Sequence, residues 1–87
     1  MEIQIDPHTL ARAKERGTNE REITETIESG IVGTAKGLRK MKSKVFSFNA
    51  TRNNKFYDHK KIEVYYTETQ TKIITVTVYV FYGKWEE

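Results

Sequence analysis

The chain has 87 residues, 15 Lys and Arg against 12 Asp and Glu for a net charge of +3, one proline and no cysteine. Such a length leaves room for one core, and the missing cysteines exclude a disulfide framework, a thiolate zinc site and a cysteine nucleophile. The apolar run from Val76 to Tyr82 falls far short of the roughly 20 residues that cross a bilayer, and Met1 to Asp6 lack the basic start and apolar stretch of a signal peptide. The expectation is a single domain over residues 1–87, soluble and cytoplasmic, with no membrane association.

Ile3 and Ile5 suggest a short edge strand. Asp6-Pro7 then supplies an N-cap with proline at the first helical position, and Arg16-Gly17 supplies a terminal cation and a C′ glycine, so a helix is predicted from about Pro7 to Arg16. Asn19 can cap a second helix, with Glu22 three residues on in a capping-box position. Ile23 and Ile27 give that helix one apolar stripe, and Ser29-Gly30 ends it. Val32 to Lys42, with two glycines and several cations, reads as a loop.

From there the period changes from 3.6 to 2. Val45 to Phe48 and Lys55 to Tyr57 are expected as short strands around a polar turn from Asn49 to Asn54. Ile62 to Thr67 puts Ile62, Val64 and Tyr66 on one side and Glu63, Tyr65 and Thr67 on the other. After a hairpin at Glu68 to Thr71, the stretch Thr71 to Phe81 places Ile74, Val76, Val78 and Val80 on one face, expected against the helices. Ile73, Thr75, Thr77, Tyr79 and Phe81 fall on the other. The predicted architecture is α+β: two short N-terminal helices packed on a three- to four-stranded antiparallel sheet.

Charge is segregated along this layout. Residues 1–35 carry net −3, residues 36–61 net +8 and residues 62–87 net −2. All ten aromatic residues lie between Phe46 and Trp85, so rings and cations interleave in the middle segment. Cations release counterions from a phosphate backbone and aromatic faces stack on unpaired bases, which points to a nucleic acid as partner. Arg12, Lys42, Lys44, Arg52, Lys55 and Tyr79 are the candidate substrate-binding residues. An acidic protein fits the same charge.

Sequence signals for other chemistries are lacking: there is no phosphate-binding glycine loop, no nucleophile elbow and no spacing of His8, His59 and carboxylates that suggests a metal cage. No cofactor is expected. The carboxylates of the second helix read as a solvated face, and His59, beside Lys60 and Lys61, as a surface group. His8, Arg12 and Arg16 recur at i, i+4 and i+8, one stripe of the first helix, turned away from Leu10 and Ala13. Arginine forks match phosphate oxygens, and a histidine can move a proton near neutral pH. Thr75, Thr77 and Tyr79 present hydroxyls from one strand face.

The succession His8-Thr9-Leu10, Glu15-Arg16-Gly17, Glu22-Ile23, Ile27, Ile62-Glu63-Val64-Tyr65-Tyr66 and Ile73-Ile74-Thr75-Val76-Thr77-Val78-Tyr79 resembles domain-of-unknown-function family 4258. That family is similar to the superfamily of small RNases that includes barnase, EndoU, colicin and RelE, many of them toxins of toxin–antitoxin systems. The resemblance implies two helices on a four-stranded antiparallel sheet and a metal-independent, toxin-like endoribonuclease, in which the RNA 2′-hydroxyl attacks the adjacent phosphorus. It further implies His8 as proton-transfer group, Arg16 as phosphate or transition-state ligand, Thr77 with Tyr79 as orienting hydroxyls, and an acidic antitoxin as a protein partner. The alternatives are a non-catalytic RNA-binding or regulatory module and an interaction domain for an acidic protein.

Overall fold

A computed structural model describes residues 1–86. In chain order it contains β1 (Glu2–Gln4), α1 (Pro7–Arg16), α2 (Glu20–Ser29), β2 (Ile31–Gly33), β3 (Lys40–Arg52), β4 (Lys55–Glu68) and β5 (Lys72–Gly83). The strands form one sheet in the order β1-β5-β4-β3-β2, with β1 parallel to β5 and every other pairing antiparallel. The α+β class and the two N-terminal helices are as expected. The sheet differs: it has five strands and is mixed, because β1 and β2 add short edges at either side.

Both helices start where the sequence places them. The Asp6 carboxylate accepts from the backbone N–H groups of His8 and Thr9, and the Asn19 side chain accepts from Glu22 N. α1 ends on Gly17 in the left-handed region at φ 91°, where a Cβ would also overlap the Tyr82 hydroxyl. Glycine is therefore required there twice, once by the backbone and once by what closes over it.

The strands of the basic segment are longer than their hydrophobic pattern suggests. β3 and β4 form a hairpin of 13 and 14 residues turning on Asn53 and Asn54, both at positive φ (52° and 64°), as a two-residue type I′ turn demands. At about 3.3 Å per residue such a hairpin approaches 45 Å, and it sets the long dimension of the molecule, 42 Å. The polar turn expected from Asn49 to Asn54 thus shrinks to two residues. Asn49, at φ 47°, instead sits at a register shift between Ser47 and Ala50. The predicted loop at 32–42 supplies β2 and the start of β3.

The core gathers Ala13, Ile23, Ile27, Ile62, Val64, Tyr66 and Val78 between helices and sheet. Ile62, Val64 and Tyr66 face inward as their alternation requires. β5 departs from its pattern: Tyr65 pairs with Thr77 but Tyr66 with Thr75, so Val76 is the extra residue of a bulge. Thr75 is consequently buried, with its hydroxyl donating to Thr9 Oγ1 at 2.9 Å and accepting from Asp6 N at 3.0 Å. The inward set is Thr75, then Val78, rather than the unbroken valine face. On α1 the inner stripe is Thr9, Ala13 and Arg16, while Leu10 is 40% exposed.

The other side of the interface is polar and closed by one ion pair. Lys60 Nζ lies 2.7 Å from Glu22 Oε1 and donates to Gly17 O at 2.9 Å, while the Thr18 hydroxyl donates to the same Glu22 oxygen. Both charged side chains are about nine-tenths buried (9% exposed each), so removing one strands the other. Lys60→Met is expected to lower the unfolding free energy in urea by about 3–5 kcal/mol, and the double variant Lys60→Met/Glu22→Gln by clearly less than the sum of its single changes.

Candidate nucleic-acid interface

The C-terminal carbonyls of a helix need donors, and the negative end of its dipole favours cations. Both helices here end against the sheet, and the middle-segment cations meet them. At α1, Arg52 Nη2 donates to Glu15 O at 2.9 Å, the Tyr82 hydroxyl to Arg16 O at 2.6 Å and Lys60 to Gly17 O. At α2, Lys42 Nζ donates to Ile27 O at 2.8 Å and Lys44 Nζ to Ser29 Oγ at 2.9 Å, with Glu25 3.4 Å away. The +8 segment therefore contains four side chains held by helix ends. Rings line this end of the sheet too: Tyr82 packs edge-on against Phe48, and Arg52 lies 4.9 Å over the Tyr82 ring. Lys55 lies 5.6 Å over Tyr57.

The opposite sheet face carries no helix. Its rows follow from the register: Met41, Tyr65 and Thr77; then Ser43, Glu63 and Tyr79; then Val45, Lys61 and Phe81. Tyr65 and Tyr79 meet edge-to-face with centroids 5.8 Å apart, and Tyr79 and Phe81 remain 41% and 45% exposed. A shallow depression of about 310 Å³ is lined by Arg39, Glu63, Tyr65, Thr77, Tyr79 and Phe81. Its electrostatic floor is the Glu63 carboxylate, which accepts from the Tyr65 hydroxyl at 3.5 Å and lies 4.0 Å from Lys61 Nζ.

Arg16 joins the two faces. Beyond Ile74, β5 has no strand neighbour on its β1 side, and Arg16 Nη1 donates there to Val78 O at 2.6 Å. Its guanidinium lies 4.8 Å over the Tyr79 ring. One N–H is thus anchored, and the fork has further N–H groups to offer an anion.

The sequence candidates divide accordingly. Arg16, Thr77 and Tyr79 come together at the β5 edge and open face. Arg12 is half-buried and paired in both Nη1 contacts with Glu15, at 3.0 and 3.1 Å. His8 is exposed at the other end of α1, about 12 Å from Arg16 along the axis at 1.5 Å per residue. Lys42, Lys44 and Arg52 serve helix ends, and Lys55 the turn of the long hairpin. His59 is half-buried, its Nδ1 accepting from Trp85 N at 3.1 Å. Arg39, Glu63, Tyr65 and Phe81 belong to the open face without having been candidates. The alternation around Glu63, Tyr65 and Phe81 carried a signal, whereas nothing in the sequence points Arg39 at them.

Among the described residues no cluster of three or more His, Asp or Glu side chains could hold a metal ion, and no helix is long and apolar enough to cross a membrane. These features define the class: an α+β domain with helices on one side of a mixed five-stranded sheet and a cation-rimmed aromatic face on the other. Comparisons with protein-family models, curated proteins and solved structures yield no match for the chain.

Burial raises the Tyr65 hydroxyl above its ordinary value of 10.0, helped by Glu63 and Tyr79; burial likewise raises Tyr66 and Tyr82. A raised folded value means the native state keeps its proton while the unfolded chain loses it, so this contribution is complete below pH 10 and disappears as pH rises through the folded values. Thermal unfolding is expected to show a melting temperature insensitive to these groups up to about pH 9 and falling beyond about pH 10, with a shallower alkaline fall in Tyr65→Phe.

Proposed function

We propose that this domain binds single-stranded RNA across its open sheet face, with Tyr79, Tyr65 and Phe81 as stacking surfaces and Arg16 and Arg39 as phosphate ligands. The observation that carries the reading is Arg16: its guanidinium is fixed against Val78 O and the Tyr79 ring, leaving donors beside an exposed aromatic face. A nucleotide stacked on that face would bring its phosphate to a preorganised fork. Single-stranded RNA suits the site because its unstacked bases can lie flat on the sheet, whereas a duplex hides them.

Metal-independent endoribonuclease activity is the catalytic form of this reading. In it the 2′-hydroxyl gives its proton to a base, O2′ bonds to phosphorus, the P–O5′ bond breaks, and the departing O5′ receives a proton. Arg16 is suited to stabilising the charge on the phosphorane, Thr77 and Tyr79 to orienting the ribose, and His8 to proton transfer from the α1 N-terminus. His8 is exposed at the N-terminus of α1, about 12 Å along the helix axis from Arg16, so this form requires one phosphate to be brought within reach of both side chains. Its distance along the helix means that it serves a strand crossing the β5 edge rather than one confined to the depression.

Two measurements test the reading. With two phosphate contacts, from Arg16 and Arg39, log K for an oligouridylate is expected to fall with log salt at a slope of about −1.4, which Arg39→Ala makes shallower by about 0.7. Tyr79→Ala weakens binding by at least about tenfold, in line with the 1–3 kcal/mol of one lost stack. A flat salt response removes RNA as the ligand. For cleavage, the chain in EDTA is expected to cut a generic RNA to 2′,3′-cyclic ends, and His8→Ala to abolish cutting with binding and melting temperature unchanged. Binding without cutting by the wild-type chain leaves the RNA-binding reading and rejects the nuclease.

A further inference from the structure

A second surface lies at the far side of the sheet, on β2. This strand pairs only with β3, so its other edge presents unpaired backbone N–H and C=O groups. Natural edges are usually blunted by charge on the strand itself, whereas this one carries Ile31 at 76% and Val32 at 73% exposure, and Leu38, in the connection from β2 to β3, is 92% exposed. These three are the most exposed large apolar side chains among the described residues, and Ile31 and Val32, consecutive on the strand, point to opposite faces of the sheet. A depression of about 610 Å³ beside Val32 and Gly33 continues the edge toward Arg39, Lys40 and Tyr66.

Charge identifies the occupant. No acidic residue occurs between Glu28 and Asp58; the exposed Arg39 and Lys40 line the depression, and the exposed Lys36 lies in the connection between β2 and β3. The one carboxylate lining the depression, Glu68, lies 3.5 Å from Lys40 Nζ. A second copy of the chain pairing edge to edge would bring two such cationic rims together, which opposes it. RNA would find cations but no exposed ring to stack on, since Tyr66, the one aromatic residue lining the depression, is buried.

We infer that the β2 edge is a docking site for an acidic, extended peptide segment that adds a strand to the sheet. Backbone bonds along Ile31–Gly33 set the register, alternate apolar side chains of the guest lie on the Ile31 face, and its carboxylates, on the opposite face beside Val32, meet Lys40, with Lys36 of the β2–β3 connection adding charge. Apart from Arg39, which lines both depressions, the site uses none of the residues proposed for RNA and does not depend on RNA binding at the open face.

The probe is a ten-residue peptide of alternating glutamate and valine, compared with an all-glutamate peptide and an oligouridylate, by fluorescence anisotropy and amide hydrogen exchange. The alternating peptide is expected to bind and to slow exchange at residues 31–33. Ile31→Lys adds a positive charge yet should weaken it by about tenfold or more, because the apolar contact is lost. Lys36→Glu/Lys40→Glu should weaken it comparably. These side chains are exposed, so melting temperatures should hold; should a variant fail to fold, exchange on the wild-type chain decides. The inference is overturned if Ile31→Lys binds as well or better, if the all-glutamate peptide binds equally, if the oligouridylate protects 31–33 instead, or if raising the protein concentration alone does so through self-association.

Discussion

The buried Lys60–Glu22 pair is the point on which the two halves of the molecule depend. It ties β4 to the first turn of α2, and through Gly17 O it ties both to the end of α1. Thr18 completes the carboxylate, and Phe48 lies 5.7 Å beneath the ammonium. An ion pair taken out of water is stabilising only when its remaining protons and lone pairs are matched, and here the carbonyl and hydroxyl supply that match. Among the described residues no buried side-chain polar atom lacks a partner.

The same principle explains the uneven charge. Two helices that both end on a sheet present carbonyls that water cannot reach freely, and donors must come from the strands beneath. Lys42, Arg52 and Lys60 provide them, and Lys44 bonds the Ser29 hydroxyl at the end of α2, so much of the basic segment belongs to the fold. What remains for a ligand is narrower and better located: Arg16 and Arg39 near the open face, and Lys36 and Lys40 by the β2 edge. Net charge counted along the chain merged three separate roles.

The bulge at Val76 separates fold from site within one strand. Before it, Thr75 turns inward to Thr9 and Asp6; after it, Thr77 and Tyr79 turn outward while Val78 enters the core. A strand without the bulge would put the three hydroxyl residues on one face. Because side chains alternate with period 2, one inserted residue is enough to reassign all that precede it.

Helix positions, caps and the Arg16-Gly17 stop were legible in the sequence because they depend on neighbouring residues: a carboxylate meets N–H groups two or three places on, and glycine alone takes positive φ cheaply. The alternation of Ile62 to Thr67 was equally local. The length of the hairpin, the two edge strands and the bulge were not, since polar strands such as 40–44 carry no apolar period and are held by the strand across from them. The candidate site was half legible for the same reason. Arg16, Thr77 and Tyr79 carried chemical signals of their own, but the pairing of Arg16 with Tyr79, and the diversion of Lys42, Lys44 and Arg52 to helix ends, required residues 37 or more positions apart, or across the helix–sheet interface, to be brought together. Sequence determined which groups could bind an anion; tertiary structure decided which were left to do so, because buried helix carbonyls claim the nearest cations first.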